Sequence, residues 1–493
     1  MTAVSRLLAA WLTPAMLLAV PAALATRAGD GLWLGLVLLL APLIALGGRA
    51  GEGTAAPRDD RGSLFSVVAL LITVGLLLWA NIALAGDLAA WLGAPRWQGI
   101  VVTAVAGWGL TAWRPLRRTA PLLLAIALVA GAAPLLQVAW ATGLGPLAAW
   151  ERVAGQPAFR FPAASPWVTT GRPLAALHGR APLVFEEVHR LTAPAGGVLR
   201  ARTLDGTRLS EIEWTLAPGQ SVALRAGDEL ERGTPVRLRF EADKRVPGAP
   251  ASGAAWSQDG PRRWLDRLGV LITLLLGAVA LLRAGLPVRL SRDRAGLLAG
   301  ALFLAFAWAQ LWTVYAVLQS PDLFLGGVTP ERFLEVPGVA LFAEPWRRTL
   351  QAFMLAAGLA LFLASSVALR ERLGALDRTG GGEIGRDRGL WAALFGAAAL
   401  ASLWPVDPWT LTLLALGGAG CALAPATIWA PPPGRAALGT TAGVVGLVVF
   451  ATLAAAQLRG GGGAVLGAAV GYPALAGGPA GAVVLWLGRR RSE

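Results

Sequence analysis

Apolar residues fall in repeated runs of about 17–25 residues, separated by short stretches rich in arginine, glycine and proline. The first run is the apolar core of the N-terminal stretch, after Arg6, with Pro14 and Pro21 inside it. Later runs lie near 32–48, 64–85, 98–113 and 120–142, then near 265–284, 295–317, 349–369, 389–405, 409–429, 436–457 and 464–488. Runs of this length with few charges predict membrane-spanning helices. Between the two groups lies one long polar interval, 143–263.

Within that interval the period changes from helical to two. Ile212, Trp214 and Leu216 alternate with Glu211, Glu213 and Thr215. Val236, Leu238 and Phe240 alternate with Arg237, Arg239 and Glu241. Such alternation marks strands with one buried face. Strands are predicted at 183–191, 197–204, 208–216, 220–225 and 235–242, with Asp205-Gly206 as a hairpin turn and Pro218-Gly219 and Ala226-Gly227-Asp228 as later turns. Glu151 to Arg180 reads as an extended lead-in.

The predicted fold is a polytopic α-helical membrane protein of about twelve transmembrane helices, five before and seven after an inserted small all-β domain. Its parts are 1–142, the β-rich sandwich or barrel 143–263, and 264–493 with a mixed outer loop at 318–348. In that loop Thr329-Pro330-Glu331 predicts the start of an amphipathic helix, whose acids would face the arginine-bearing strands. Ala23-Leu24-Ala25 resembles a signal-peptidase site, but the spans that follow favour a retained first helix.

Charge adds orientation. The chain carries net +14 at pH 7, and Lys244 is its only lysine. The arginines concentrate in alternate loops: Arg49, Arg58 and Arg61; Arg114, Arg117 and Arg118; Arg283 to Arg294; Arg370 to Arg388; Arg435; and Arg489 to Arg491. Arg347 and Arg348 are the main exceptions. Positive-inside bias then puts both termini in the cytoplasm and 143–263 outside, in a bacterial cytoplasmic membrane. The basic balance belongs to these loops, so no nucleic-acid partner is expected. Many tryptophans, among them Trp33, Trp97, Trp391, Trp404 and Trp486, fall near span ends, where indole anchors at the interface.

Candidate chemistry is sparse. Cys421 is the only cysteine and the two histidines are His178 and His189, so disulfides, cysteine-ligated metal clusters and bis-histidine haem within the membrane are excluded. Neither histidine has ligand neighbours at useful spacing, and no metal or cofactor is predicted. His189 reads as part of a solvated strand edge. No P-loop, dinucleotide fingerprint or nucleophile elbow appears. The spans lack mid-membrane acids, leaving Asn81, Gln137, Gln310, Gln351 and Gln457 as polar positions.

The catalytic candidates are Asp30, Asp322 and Glu331, acids at the outer surface where an enzyme using a lipid-linked donor needs a base or metal ligand. Asp30 follows the first span, a placement that resembles one superfamily of such glycosyltransferases. Asp322, in a large outer loop between late spans, resembles the shape and division peptidoglycan polymerases. Both likenesses are of position alone, without a family motif. Trp404-Pro405-Val406-Asp407-Pro408-Trp409 superficially resembles the haem-handling loop of cytochrome c assembly proteins, without its length or its histidines. Arg200, Arg202, Arg237 and Arg239 form a candidate binding surface. Gly439, Gly443, Gly467 and Gly471 have the spacing of close helix packing, and Pro473 and Pro479 predict a broken last helix.

The function expected is a non-catalytic component of an envelope-assembly, export or membrane complex, with the lipid bilayer and a membrane-protein or envelope-polymer as partners. A transporter or flippase for a lipid-linked or amphipathic substrate is the first alternative. An envelope glycosyltransferase or polymerase is the second.

Overall fold

In the computed structural model the described residues are 3–14, 20, 24, 28–47, 60–91, 94–112, 114–143, 145–174, 182–205, 208–231, 236–257, 263–284, 294–326, 346–377, 388–404, 406, 408–429, 436–458 and 474–490. Before the β-region come α1 (Ala3–Trp11), α2 (Ala28–Gly47), α3 (Asp60–Trp91), α4 (Arg96–Ala112) and α5 (Arg114–Thr142). Three short helices, α6 (Pro146–Ala154), α7 (Pro166–Thr169) and α8 (Gly253–Ser257), belong to the β-region. Then follow α9 (Arg263–Arg283), α10 (Arg294–Gln310), α11 (Val314–Gln319), α12 (Trp346–Asp377), α13 (Arg388–Ala401), α14 (Pro408–Thr427), α15 (Ala436–Leu458) and α16 (Ala474–Arg490).

Four stretches are long and apolar enough to cross a membrane: Leu64–Ala90, Gly296–Leu318, Pro408–Pro425 and Ala437–Ala455. Shorter apolar helices cover Gly31–Ala45, Ala120–Ala133, Leu268–Arg283, Arg388–Ala401 and Ala476–Gly488. Their outward faces carry Leu43, Leu122, Leu297 and Leu304, and that of α4 carries Val102 and Val105, all exposed. A helix apolar on every side suits a surrounding of lipid rather than water. α14 packs against α9, α3 and α15, and α12 packs along α5.

Small residues permit these contacts. A Cβ on Gly443 of α15 would lie 2.5 Å from the Ala422 carbonyl oxygen of α14 and 2.9 Å from Phe65. One on Gly277 of α9 would meet the Leu416 carbonyl oxygen. Backbones this close leave no room for a side chain. Gly443→Val should therefore lower the thermal midpoint in detergent by forcing α15 off α14, at a cost of about 1–3 kcal/mol. An unchanged midpoint would show that the interface opens freely.

The β-region contains β1 (Arg172–Pro173), β2 (Leu183–Val184), β3 (His189–Ala193), β4 (Gly197–Asp205), β5 (Arg208–Leu216), β6 (Gln220–Leu224), β7 (Glu229–Leu230) and β8 (Arg237–Leu238). All its described pairings are antiparallel. One sheet runs β2-β7-β4-β5; β3 pairs with β6, and β1 with β8. The bridge Thr192↔Arg239 joins β3 to the β8 segment. Phe159, Phe161, Trp167, Phe185, Leu191, Leu224, Leu238 and Phe240 fill the core.

Three expectations change. Over 151–174, the described part of the expected lead-in, the chain is not extended: α6 ends and α7 forms there, and Phe159, Phe161 and Trp167 enter the core. Ser165 caps α7 by accepting a hydrogen bond from the Trp167 N–H at 3.2 Å, with Pro166 at the first helical position. The strand expected over 183–191 is interrupted, since Glu186 and Glu187 turn aside to serve Arg245. Trp391 is no interfacial anchor; it lies fully buried beneath the Arg370 guanidinium, 5.4 Å from its ring centroid.

Candidate functional site

The residues around Asp322 join the β-region to the helices. The helix begun at α10 passes through a 3-10 turn at Leu311–Thr313 and α11, and ends at Ser320. Pro321 then opens a 3-10 turn, Pro321–Gly326, with Asp322 in its first turn. The Ser165 hydroxyl donates to one Asp322 oxygen at 2.7 Å, and the Ser320 hydroxyl donates to the other. The carboxylate is only 6% exposed. Phe159 packs on Phe324 with centroids 4.9 Å apart, and Trp150 on Trp256 at 5.0 Å. With both oxygens taken by hydroxyls, the carboxylate works as a clasp 157 residues in span.

Asp30 lies in the first turn of α2, with its side chain outside the described residues, and Glu331 lies outside them altogether. The same holds for His178, Asp407, Gly467, Gly471, Pro473 and the helix expected from Thr329. Gly439 is buried in α15, and Pro479 sits inside α16. Among the described residues no three His, Cys, Asp or Glu side chains cluster as metal ligands.

The four candidate binding arginines divide. Arg200 pairs with Glu213 at 3.0 Å; Arg202 pairs with Glu211 at 3.2 Å and reaches Glu229 at 4.0 Å. These are cross-strand partners of the β4–β5 hairpin, in register Arg200↔Glu213 and Arg202↔Glu211. The outer-loop acids were expected to face the arginine strands; Asp322, the one described in full, bonds serines instead. Arg237, in β8, and Arg239, just past it, are exposed away from that hairpin, and Arg239 Nε donates to the Val168 carbonyl at 3.0 Å.

His189 is not on a solvated edge. It occupies an inward position of β3 opposite Leu224, is 1% exposed, and lies edge-on to Phe161, Phe185 and Phe240. Its Nδ1 has no hydrogen-bond partner among the described residues, and its Nε2 is 3.9 Å from Glu187. Desolvation pushes its pKa below the ordinary 6.5; Lys244 adds to the drop, while Glu187, Glu241 and the Arg245 backbone oppose it. An unfolded chain then binds the proton more readily than the folded one. Stability is full above about pH 6.5 and falls as pH drops below it. Thermal unfolding at pH 7.5 and pH 5 should show a lower midpoint in acid, and His189→Phe should remove the part due to this residue.

At the end of the bundle away from the β-region, arginines close helix ends. The fully buried Arg372 donates through Nη1 to the carbonyls of Leu281, Leu282 and Ala284 at 3.1, 2.5 and 3.1 Å. Arg370 donates to Thr111 O, Arg283 to Ile44 O, and Arg6 lies 3.6 Å from Glu371. At the opposite end Arg96 binds Asp87 at 2.7 Å and donates to Ser402 O.

No protein-family model matches the chain, and neither a curated protein nor a solved structure is detectably similar to it.

Proposed function

We propose that this is a multi-pass protein of a bacterial cytoplasmic membrane, with about twelve spans, cytoplasmic termini and the β-domain 143–263 outside. In this reading it is a non-catalytic component of an envelope-assembly, export or membrane complex, and the β-domain is its binding surface. The observation that carries the reading is the Ser165–Asp322–Ser320 clasp. The one fully described candidate acid is spent on fixing the domain to the helices, which suits a rigid platform better than a reaction. The arginine-capped helix ends opposite the domain support the orientation.

The test is photo-crosslinking in the native host from exposed β-domain positions such as Val198 and Leu204. Adducts with a defined envelope protein or polymer are expected. Absence of any adduct across the domain would sink the reading.

One observation favours the transporter alternative. Gln310 is 1% exposed, and neither side-chain amide atom has a partner among the described residues. It sits inside a span where α-helix gives way to a 3-10 turn, a local break often found at functional sites. As a transporter, Gln310→Leu should stop substrate movement while leaving the fold intact. As a platform, the same variant should keep full function. The glycosyltransferase reading would require Asp322 to open towards a substrate.

A further inference from the structure

The sheet face built by β6, β3 and the β8 segment carries four arginines. Register fixes their arrangement. Arg190↔Ala223 and Thr192↔Ser221 pair β3 with β6, and Thr192↔Arg239 joins β3 to β8. Inward positions hold His189, Leu191, Leu224, Leu238 and Phe240, all buried. The alternate positions Arg190, Arg237 and Arg239 are exposed, and Arg225 follows next in the β6 alternation, also exposed. Diagonal neighbours on such a sheet lie about 7–8 Å apart, so Arg190 and Arg239 can share one anionic group.

These arginines differ from the rest of the domain's. Arg200, Arg202 and Arg245 have carboxylate partners. Among the described residues none of Arg190, Arg225, Arg237 and Arg239 forms an ion pair. Asp228 is buried and accepts the Arg225 and Leu204 N–H groups, while Glu241, the one described acid beside these arginines on the face, accepts the Arg190 N–H at 3.3 Å. The face also borders the clasp. Arg239 holds the Val168 carbonyl; Val168 is in the single helical turn capped by Ser165; Ser165 holds Asp322, four residues past the apolar stretch ending at Leu318. One helical turn is roughly 5 Å, so the β8 side of the face lies within about a Debye length, ~8 Å in physiological salt, of the clasp.

We infer that the Arg190–Arg225–Arg237–Arg239 face binds the phosphate headgroups of anionic phospholipids at the membrane surface beside the clasp. Guanidinium forks match phosphate oxygens in pairs, and a bilayer supplies such groups at the height where this face sits. The inference rests on the helices lying in a bilayer and is independent of any protein partner.

The full-length protein in nanodiscs tests it by amide hydrogen exchange over 188–193, 221–225 and 237–241. Discs with phosphatidylglycerol should slow exchange there about tenfold relative to pure phosphatidylcholine, and high salt should reverse this. The combined variant Arg190→Gln, Arg225→Gln, Arg237→Gln and Arg239→Gln should lose the difference, while Arg200→Gln with Arg202→Gln should keep it. Equal exchange of the wild-type protein in both discs overturns the inference. So does equal protection by inorganic phosphate in phosphatidylcholine discs, which would assign the face to a soluble anion. Both readouts of the wild-type protein stand even if the combined variant fails to fold.

Discussion

Arg372→Met should destabilise the protein by about 3–5 kcal/mol, the range for stranding buried polar groups. In the native chain one guanidinium nitrogen closes three carbonyls at the end of α9. α9 ends without partners for its last carbonyls inside its own ladder, as every helix does, and here that end is buried against α12. A methionine fills the space and supplies no donor. Arg372→Lys should recover part of the loss, since an ammonium donates from one point but lacks the planar fork. Glu371→Gln, one residue away, leaves the three carbonyl bonds in place, removes the partly exposed contact to Arg6 and should cost far less. Thermal unfolding followed by size exclusion in detergent orders the three variants. Equal midpoints for Arg372→Met and the native protein would mean that the α9 carbonyls find other donors.

The second large effect is expected at the clasp. Asp322→Ala removes the acceptor of two seryl hydroxyls in a site closed to water, a loss of about 2–4 kcal/mol. The loss should be local. Amide exchange should rise over 161–170 and 240–246, which hang on Ser165 through α7 and the Phe240–Trp167 backbone bond, while α14 and α15 stay protected. Asp322→Asn keeps the shape and one acceptor oxygen, so it should retain most of the docking. This separates a clasp from a catalytic acid, for which the Asn variant would stay docked and lose function.

How far the sequence reveals this depends on distance along the chain. The β4–β5 hairpin is readable as two strands from its alternation and from Asp205-Gly206, but its register is not: a two-residue turn at Asp205-Gly206 would set Arg200 opposite Glu211, whereas Asp205 pairs with Arg208 and sets Arg200 opposite Glu213 and Arg202 opposite Glu211. A shift of one residue in the turn thus decides which carboxylates Arg200 and Arg202 meet, and alternation alone leaves all four arginines looking like one surface. Ser165-Pro166 likewise carries the signature of a helix start, hidden by the surrounding prolines. Period two carried through β3 places His189 with Leu191 and Ala193 on the inward face, and the adjacent Glu186 and Glu187 mask that signal by making the stretch look solvated. The clasp was out of reach. Asp322 was singled out as an acid near the membrane, but no local pattern links it to Ser165. The role of Arg372 is equally hidden: its sequence position is that of a loop arginine, while packing turns it inward to cap another helix. Four of the expected spans stand as helices long and apolar enough to cross a membrane, and these are the easiest to read because a long apolar run offers no competing pattern.

The central claim is that the β-domain stands on one side of a membrane, clasped to the helices, with the arginine-capped ends on the other. The native chain has a single cysteine, Cys421, buried at 1% exposure, so an added thiol is readable against it. Ala195→Cys, in the exposed β3–β4 turn, and Arg388→Cys, at the start of α13, should be treated with a membrane-impermeant maleimide in intact cells. For a Gram-negative host the outer membrane is first made permeable. The account predicts labelling of Ala195→Cys in intact cells and of Arg388→Cys only after the cytoplasmic membrane is opened. Labelling of both in intact cells, or the reverse order, would contradict it.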